Sequence, residues 1–114
     1  MPLLKIQANV AVPAERHREL LAKASALAAE LLGKPERYVM VTVEDARAML
    51  FAGTDAPLAY LELKSIGLPA ERTAAMSQRL CELLHSELGI PQERVYIEFA
   101  DAARPLWGWN GGTF

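Results

Sequence analysis

Cysteine is almost missing from this chain: Cys81 is the only one in 114 residues. A single thiol excludes an internal disulfide and any Cys-x-x-Cys redox or zinc motif. Its place beside an apolar helical stripe assigns it the role of a small buried hydrophobe. Histidine is nearly as scarce. The two present, His17 and His85, lie on separate expected helices without ligand-type neighbours at metal spacing. They read as solvated helix-surface residues, and no metal or other cofactor is expected. An excess of positive charge is absent too: the formal net charge of -2 leaves no footprint for nucleic acid. No apolar run approaches the ~18 residues of a membrane span. The N-terminus lacks the charged and apolar regions of a secretory signal. These absences lead to the expectation of a cytoplasmic protein that engages neither membrane nor nucleic acid, with non-classical secretion as its only way out.

What is present begins with an ordinary globular composition, 52% hydrophobic and 23% charged. That suits a single domain over residues 1–114 with a small core. The sequence is then written twice. Val12-Pro-Ala-Glu-Arg16 returns as Leu68-Pro-Ala-Glu-Arg72, Gly33-Lys34-Pro35 as Gly89-Ile90-Pro91, and Asp45 as Asp101. Pro2-Leu3-Leu4 returns as Pro57-Leu58-Ala59, with one residue less in the spacing. The series predicts two strand–helix–strand units, over about residues 2–45 and 57–101.

Each unit carries its own signals. Pro13 and Pro69 stand where a first helical turn tolerates a missing N–H, followed by Glu15 and Glu71 where the helix dipole favours negative charge. Leu20, Ala24, Leu27 and Leu31 form one helical stripe, widened by Leu21, Ala28 and Leu32. Met76, Leu80, Leu83, Leu84 and Leu88 form the other. Gly33 and Gly89 end the helices. Four strands alternate, beginning with the stretch Leu3 to Val10. Leu4, Ile6 and Ala8, then Val39, Val41 and Val43, then Ala59, Leu61 and Leu63, then Val95, Ile97 and Phe99 each share a face. The fold class expected is α/β (α+β): a four-stranded mixed sheet with two helices on one face. The other face is mixed, with Lys5, Gln7, Met40, Tyr60, Glu62, Tyr96 and Glu98 among its residues.

Two stretches lie outside the units. Arg47 to Ala56 contains Met49-Leu50-Phe51 and a turn signal at Gly53-Thr54-Asp55, and reads as a short edge segment or loop. The tail, Leu106 to Phe114, holds Trp107, Trp109 and Phe114 among glycines, and is expected to reach across to another subunit, because exposed apolar area marks an interface. At the other end, Met1-Pro2 precedes the first strand. Removal of Met1 turns Pro2 into a secondary amine on a rigid ring. Desolvation or a nearby cation lowers the pKa of such an amine and makes it a base suited to proton transfer.

Met1-Pro2, Gly33-Lys34-Pro35, Lys64-Ser65-Ile66-Gly67, Arg94-Val95-Tyr96-Ile97, Gly108-Trp109-Asn110 and Thr113-Phe114 together resemble the tautomerase superfamily, and within it the macrophage migration inhibitory factor family in its bacterial form. The resemblance spans essentially the whole chain. It implies a homotrimer with short extra strands for assembly and active sites at subunit boundaries. It also implies a cofactor-independent isomerase that interconverts keto and enol forms of small aromatic α-keto acids of the phenylpyruvate or dopachrome type. In that scheme Pro2 is the catalytic base. Lys34 binds the substrate carboxylate and Ile66 offers a backbone N–H. Tyr96 comes from a neighbouring subunit, and Trp109 and Phe114 wall the pocket.

One position departs from the pattern. Glu98 stands where mammalian members carry asparagine, on the same strand face as Tyr96. A carboxylate beside the Pro2 ammonium raises its pKa and repels an anionic substrate, so weak phenylpyruvate turnover is expected, recovered in part by Glu98→Asn. Pro57-Leu58-Ala59-Tyr60 replaces the mammalian Cys-x-x-Cys, so thiol chemistry is not carried over. The alternatives are a related superfamily decarboxylase or hydratase, and a cytokine-like signalling protein with a vestigial pocket. A receptor is not inferable from the residues. Arg72, a candidate carboxylate holder for the former, has its twin Arg16 in the same repeat position, which favours a structural role for both.

Overall fold

The structure is a computed structural model that describes residues 1–114. Six strands form: β1 (Leu3–Ala8), β2 (Met40–Glu44), β3 (Ala59–Ile66), β4 (Val95–Ala102), β5 (Gly108–Trp109) and β6 (Gly112–Thr113). The helices are α1 (Ala14–Leu32) and α2 (Thr73–Leu88). The main sheet has the order β2-β1-β3-β4. β1 runs parallel to β2 and antiparallel to β3, and β3 runs parallel to β4. Each unit is therefore a parallel β-α-β crossover, and the two units join along the antiparallel β1–β3 seam. The expected mixed sheet with two helices is borne out.

Alternation places the core as the residue pattern required. Leu4, Ile6, Ala8, Ala59, Leu61 and Leu63 are completely buried beneath the helices, with Val39, Val41, Val43, Val95, Ile97 and Phe99 packed around them. In α1 the buried line is Leu20, Ala24, Ala28 and Leu32. Leu27 and Leu31, expected at its centre, flank it instead. The buried residues recur at a step of four, with alanine at the two central positions. In α2 the buried line is Met76, Leu80, Cys81 and Leu84, so Cys81 is buried as expected. No helix is long and apolar enough to cross a membrane.

Three boundaries differ from expectation. β1 stops at Ala8 instead of running to Val10, because Asn9 turns its side chain to the next segment. Its amide donates to Asp55 O at 2.8 Å, and its Oδ1 accepts from Leu58 N at 2.9 Å. Pro13 is the residue before α1 and not its first turn. Pro69 precedes a 3-10 turn, Ala70–Arg72, before α2 begins at Thr73. His17 is not simply solvated: its Nε2 is shielded from water 3.5 Å from Asp45 Oδ1.

The duplication reaches hydrogen bonds. Val12 N donates to Asp45 Oδ2 at 2.7 Å, and Leu68 N donates to Asp101 Oδ1 at 3.1 Å. Each aspartate, at the end of its unit, ties down the turn that leads into its own helix.

Candidate functional site

The N-terminus enters the fold as part of the sheet. Pro2 is fully buried, and its carbonyl accepts from Met40 N at 3.0 Å. Continuing the β1–β3 register places Pro2 across from Ser65. Ser65 is fully buried, with its hydroxyl donating to Ile66 O at 3.3 Å. The Met1 amine donates to Tyr38 O at 3.3 Å. Burial lowers the pKa of this terminal amine below its ordinary value, and the positive charge of Lys34 lowers it further. Lys34 owes its place to the end of α1. Gly33 adopts the left-handed conformation (φ 62°), and Lys34 N donates back to Ala29 O at 3.1 Å, closing the helix.

A cavity of about 450 Å3 opens around this terminus, lined by Met1, Pro2, Arg37, Tyr38, Trp109 and Phe114 among others. The tail makes its wall. β5 and β6 pair through a tight turn in which Asn110 (φ 52°) and Gly111 (φ 76°) are both left-handed, the two-residue turn that matches strand twist. Trp109 stacks on Phe114 with ring centroids 5.3 Å apart, and both meet Tyr38 edge-on at 6.0 Å. Within one chain the tail packs on Tyr38, which supplies an aromatic partner that the sequence reading did not name, and Leu106 and Trp109 keep exposed surface.

Five of the seven expected site residues thus gather at one end of the sheet: Pro2, Lys34, Ile66, Trp109 and Phe114. Tyr96 and Glu98 do not join them. Tyr96 pairs with Tyr60, five positions along β3 from the residue opposite Pro2, about 16 Å at the usual strand rise. Tyr96 packs on Phe51, with centroids 4.7 Å apart. Glu98 is exposed, lies beside Glu62 in the register, and accepts from the Tyr60 hydroxyl at 3.4 Å. Burial, and then the neighbouring Glu62 and Glu98 carboxylates, raise the Tyr60 pKa.

The Tyr96 end has a second apolar cavity of about 280 Å3, lined by Met49, Leu50, Phe51, Leu58, Tyr60 and Tyr96 among others. It mirrors the first. Phe51 and Thr54 bridge across Ala52 (φ 53°) and Gly53 (φ 77°), the same turn as in the tail. Arg94 occupies the repeat position of Tyr38. Its guanidinium lies 5.3 Å from the Phe51 ring centroid and donates to the carbonyls of Phe51, Thr54, Ala56 and Pro57. Tyr38, Arg37 and Arg94 were not singled out for these roles. The signal available was their place after each helix stop, in the 3-10 turns Glu36–Tyr38 and Gln92–Arg94.

All 114 residues match the sequence model of the family described as macrophage migration inhibitory factor (MIF). A homologue of that factor from Trichuris trichiura is 39% identical over 116 residues, covering all of both chains. One from Brugia malayi is 43% identical over 95 residues, 82% of this chain and 83% of its own. The crystal structure of the homologue from Prochlorococcus marinus, 46% identical, superposes with a TM-score of 0.92 over 98% of each chain.

Proposed function

Because the chain belongs to the macrophage migration inhibitory factor family of the tautomerase superfamily, we propose that it is a keto–enol tautomerase of small aromatic α-keto acids, phenylpyruvate or dopachrome in type. The observation that carries this reading is the chain terminus itself. A backbone amine with a lowered pKa sits in a mostly apolar cavity, with Lys34 near it and an aromatic wall opposite. Once Met1 is removed, Pro2 bears the terminal amine at the same end of the sheet. A secondary amine that is neutral near ambient pH takes the proton from carbon and returns it to oxygen, or the reverse. Lys34 holds the substrate carboxylate, and the N–H of Ile66 steadies the charge that develops on oxygen.

The site is completed in a homotrimer. Tyr96 is 66% exposed and remote from Pro2 within one chain, which suits a residue that serves the pocket of a neighbouring copy. Glu98 travels with it, and its charge makes turnover of a monoanionic keto acid weak.

Intact mass combined with phenylpyruvate turnover tests the reading. The expected result is a chain lacking Met1, with Pro2→Ala reducing kcat/KM by about 10²–10⁴-fold, the usual worth of a positioned base. Undiminished turnover by a chain that keeps Met1, in which the Pro2 nitrogen is an amide, overturns it.

A further inference from the structure

Of the three glutamates on the mixed face of the sheet, two are answered by cations and one is not. Glu44 lies 3.7 Å from Lys5 Nζ and 3.1 Å from the Arg47 guanidinium, and Glu62 lies 3.1 Å from Lys64 Nζ. Glu98 enters no ion pair within the chain. Its one side-chain hydrogen bond comes from the Tyr60 hydroxyl, at a long 3.4 Å. It is exposed on β4, an edge strand of the sheet. Arg94, just before β4, does not answer it, for its guanidinium donates to the carbonyls of Phe51, Thr54, Ala56 and Pro57.

The surface beside this carboxylate is aromatic. Tyr60 and Tyr96 are partners in the β3–β4 register, and with Phe51 they line the apolar cavity of about 280 Å3. Alternation puts Glu98 on the same face as Tyr96, about 7 Å further along the strand. Aromatic faces next to an unanswered carboxylate receive an organic ammonium, through ring quadrupole and ionic charge together.

We propose that the pocket selects aromatic keto acids that carry a cationic amine at the far end of the ring, and that Glu98 receives that amine. The inference rests on the tautomerase reading, in which Lys34 of one copy holds the carboxylate while Tyr96 and Glu98 arrive from its neighbour. A zwitterion then meets an opposite charge at each end, whereas phenylpyruvate leaves Glu98 unanswered. The charge that disfavours the monoanion is the same one that confers the selectivity.

Calorimetric titration of the processed, assembled protein with cinnamate and 4-(aminomethyl)cinnamate tests this without catalysis. The zwitterion is expected to bind about tenfold more tightly, the scale of one hydrogen bond to a charged group. In Glu98→Gln, which keeps size but not charge, the ratio falls to within about twofold of unity while cinnamate binds no worse than in the parent. Equal affinities in the parent protein, as when a cation of the neighbouring copy neutralises Glu98, overturn the proposal. So does a ratio unmoved by Glu98→Gln, an equal loss of both ligands in that variant, or no binding of either ligand. Loss of the tautomerase reading is distinct from these: it appears as absent phenylpyruvate turnover with the preference for the zwitterion intact.

Discussion

At the scale of single residues, the weight falls on Lys34. It acts on the terminal amine through space, as a like charge that disfavours protonation. In the proposed enzyme it also attracts the substrate carboxylate, so removing it has two effects separable in one experiment. Lys34→Ala is expected to raise KM about tenfold for loss of a charge-assisted contact. It also moves the acid limb of the kcat/KM profile to higher pH, because the amine regains affinity for its proton. A pH series on parent and variant measures both, and an unmoved limb removes Lys34 as a tuner of the base. Pro2, Lys34, Trp109 and Phe114 were legible in the sequence as short motifs. Tyr38 was not. Its repeat counterpart is Arg94, so comparing the chain with itself offered no shared residue type there, although both positions perform the same service for the two cavities.

At the scale of elements, the units were legible because helix stops, apolar periodicity and paired motifs agreed with one another. What escaped were the end of β1, the helix starts and the packing of the two short turns, since these depend on side chains meeting across long sequence distances. Asn9 ends β1 by bonding to Asp55 and Leu58, and nothing in the local run Leu3 to Val10 announces it. The aspartates at the ends of the units were seen as a repeated letter, and their task emerges only in the fold. The Val12 amide is the largest cause holding the Asp45 carboxyl below the usual carboxylate range. Such a group contributes its stability in full above the ordinary carboxylate pKa, and loses it as pH falls through the folded value. Asp45→Asn is therefore expected to lower the urea midpoint at pH 7, with the gap to the parent closing in acid. A gap that persists at low pH shows that the ionised carboxylate is not what matters.

At the scale of the whole molecule, the two cavities at opposite ends of β3 make a single chain look incomplete. Pro2 belongs to one end and Tyr96 to the other, so the proposed trimer joins unlike ends of different copies. Mixing subunits tests this. Pro2→Ala and Tyr96→Ala chains, each nearly inactive alone, are expected to recover activity after unfolding and refolding together. In a random equal mixture about a quarter of boundary sites carry both native residues. No recovery in mixtures that sediment as trimers places Tyr96 outside the site. The tight turns have a further consequence. Arg94, from the second unit, grips the turn that follows the first, and Tyr38, from the first, receives the turn that follows the second. Each half thus holds the other's trailing end, and the Ala52-Gly53 bond lies between two gripped residues. Split there, the gene should yield two fragments that are insoluble apart and assemble when co-expressed, a reporter in which fold and pocket return together.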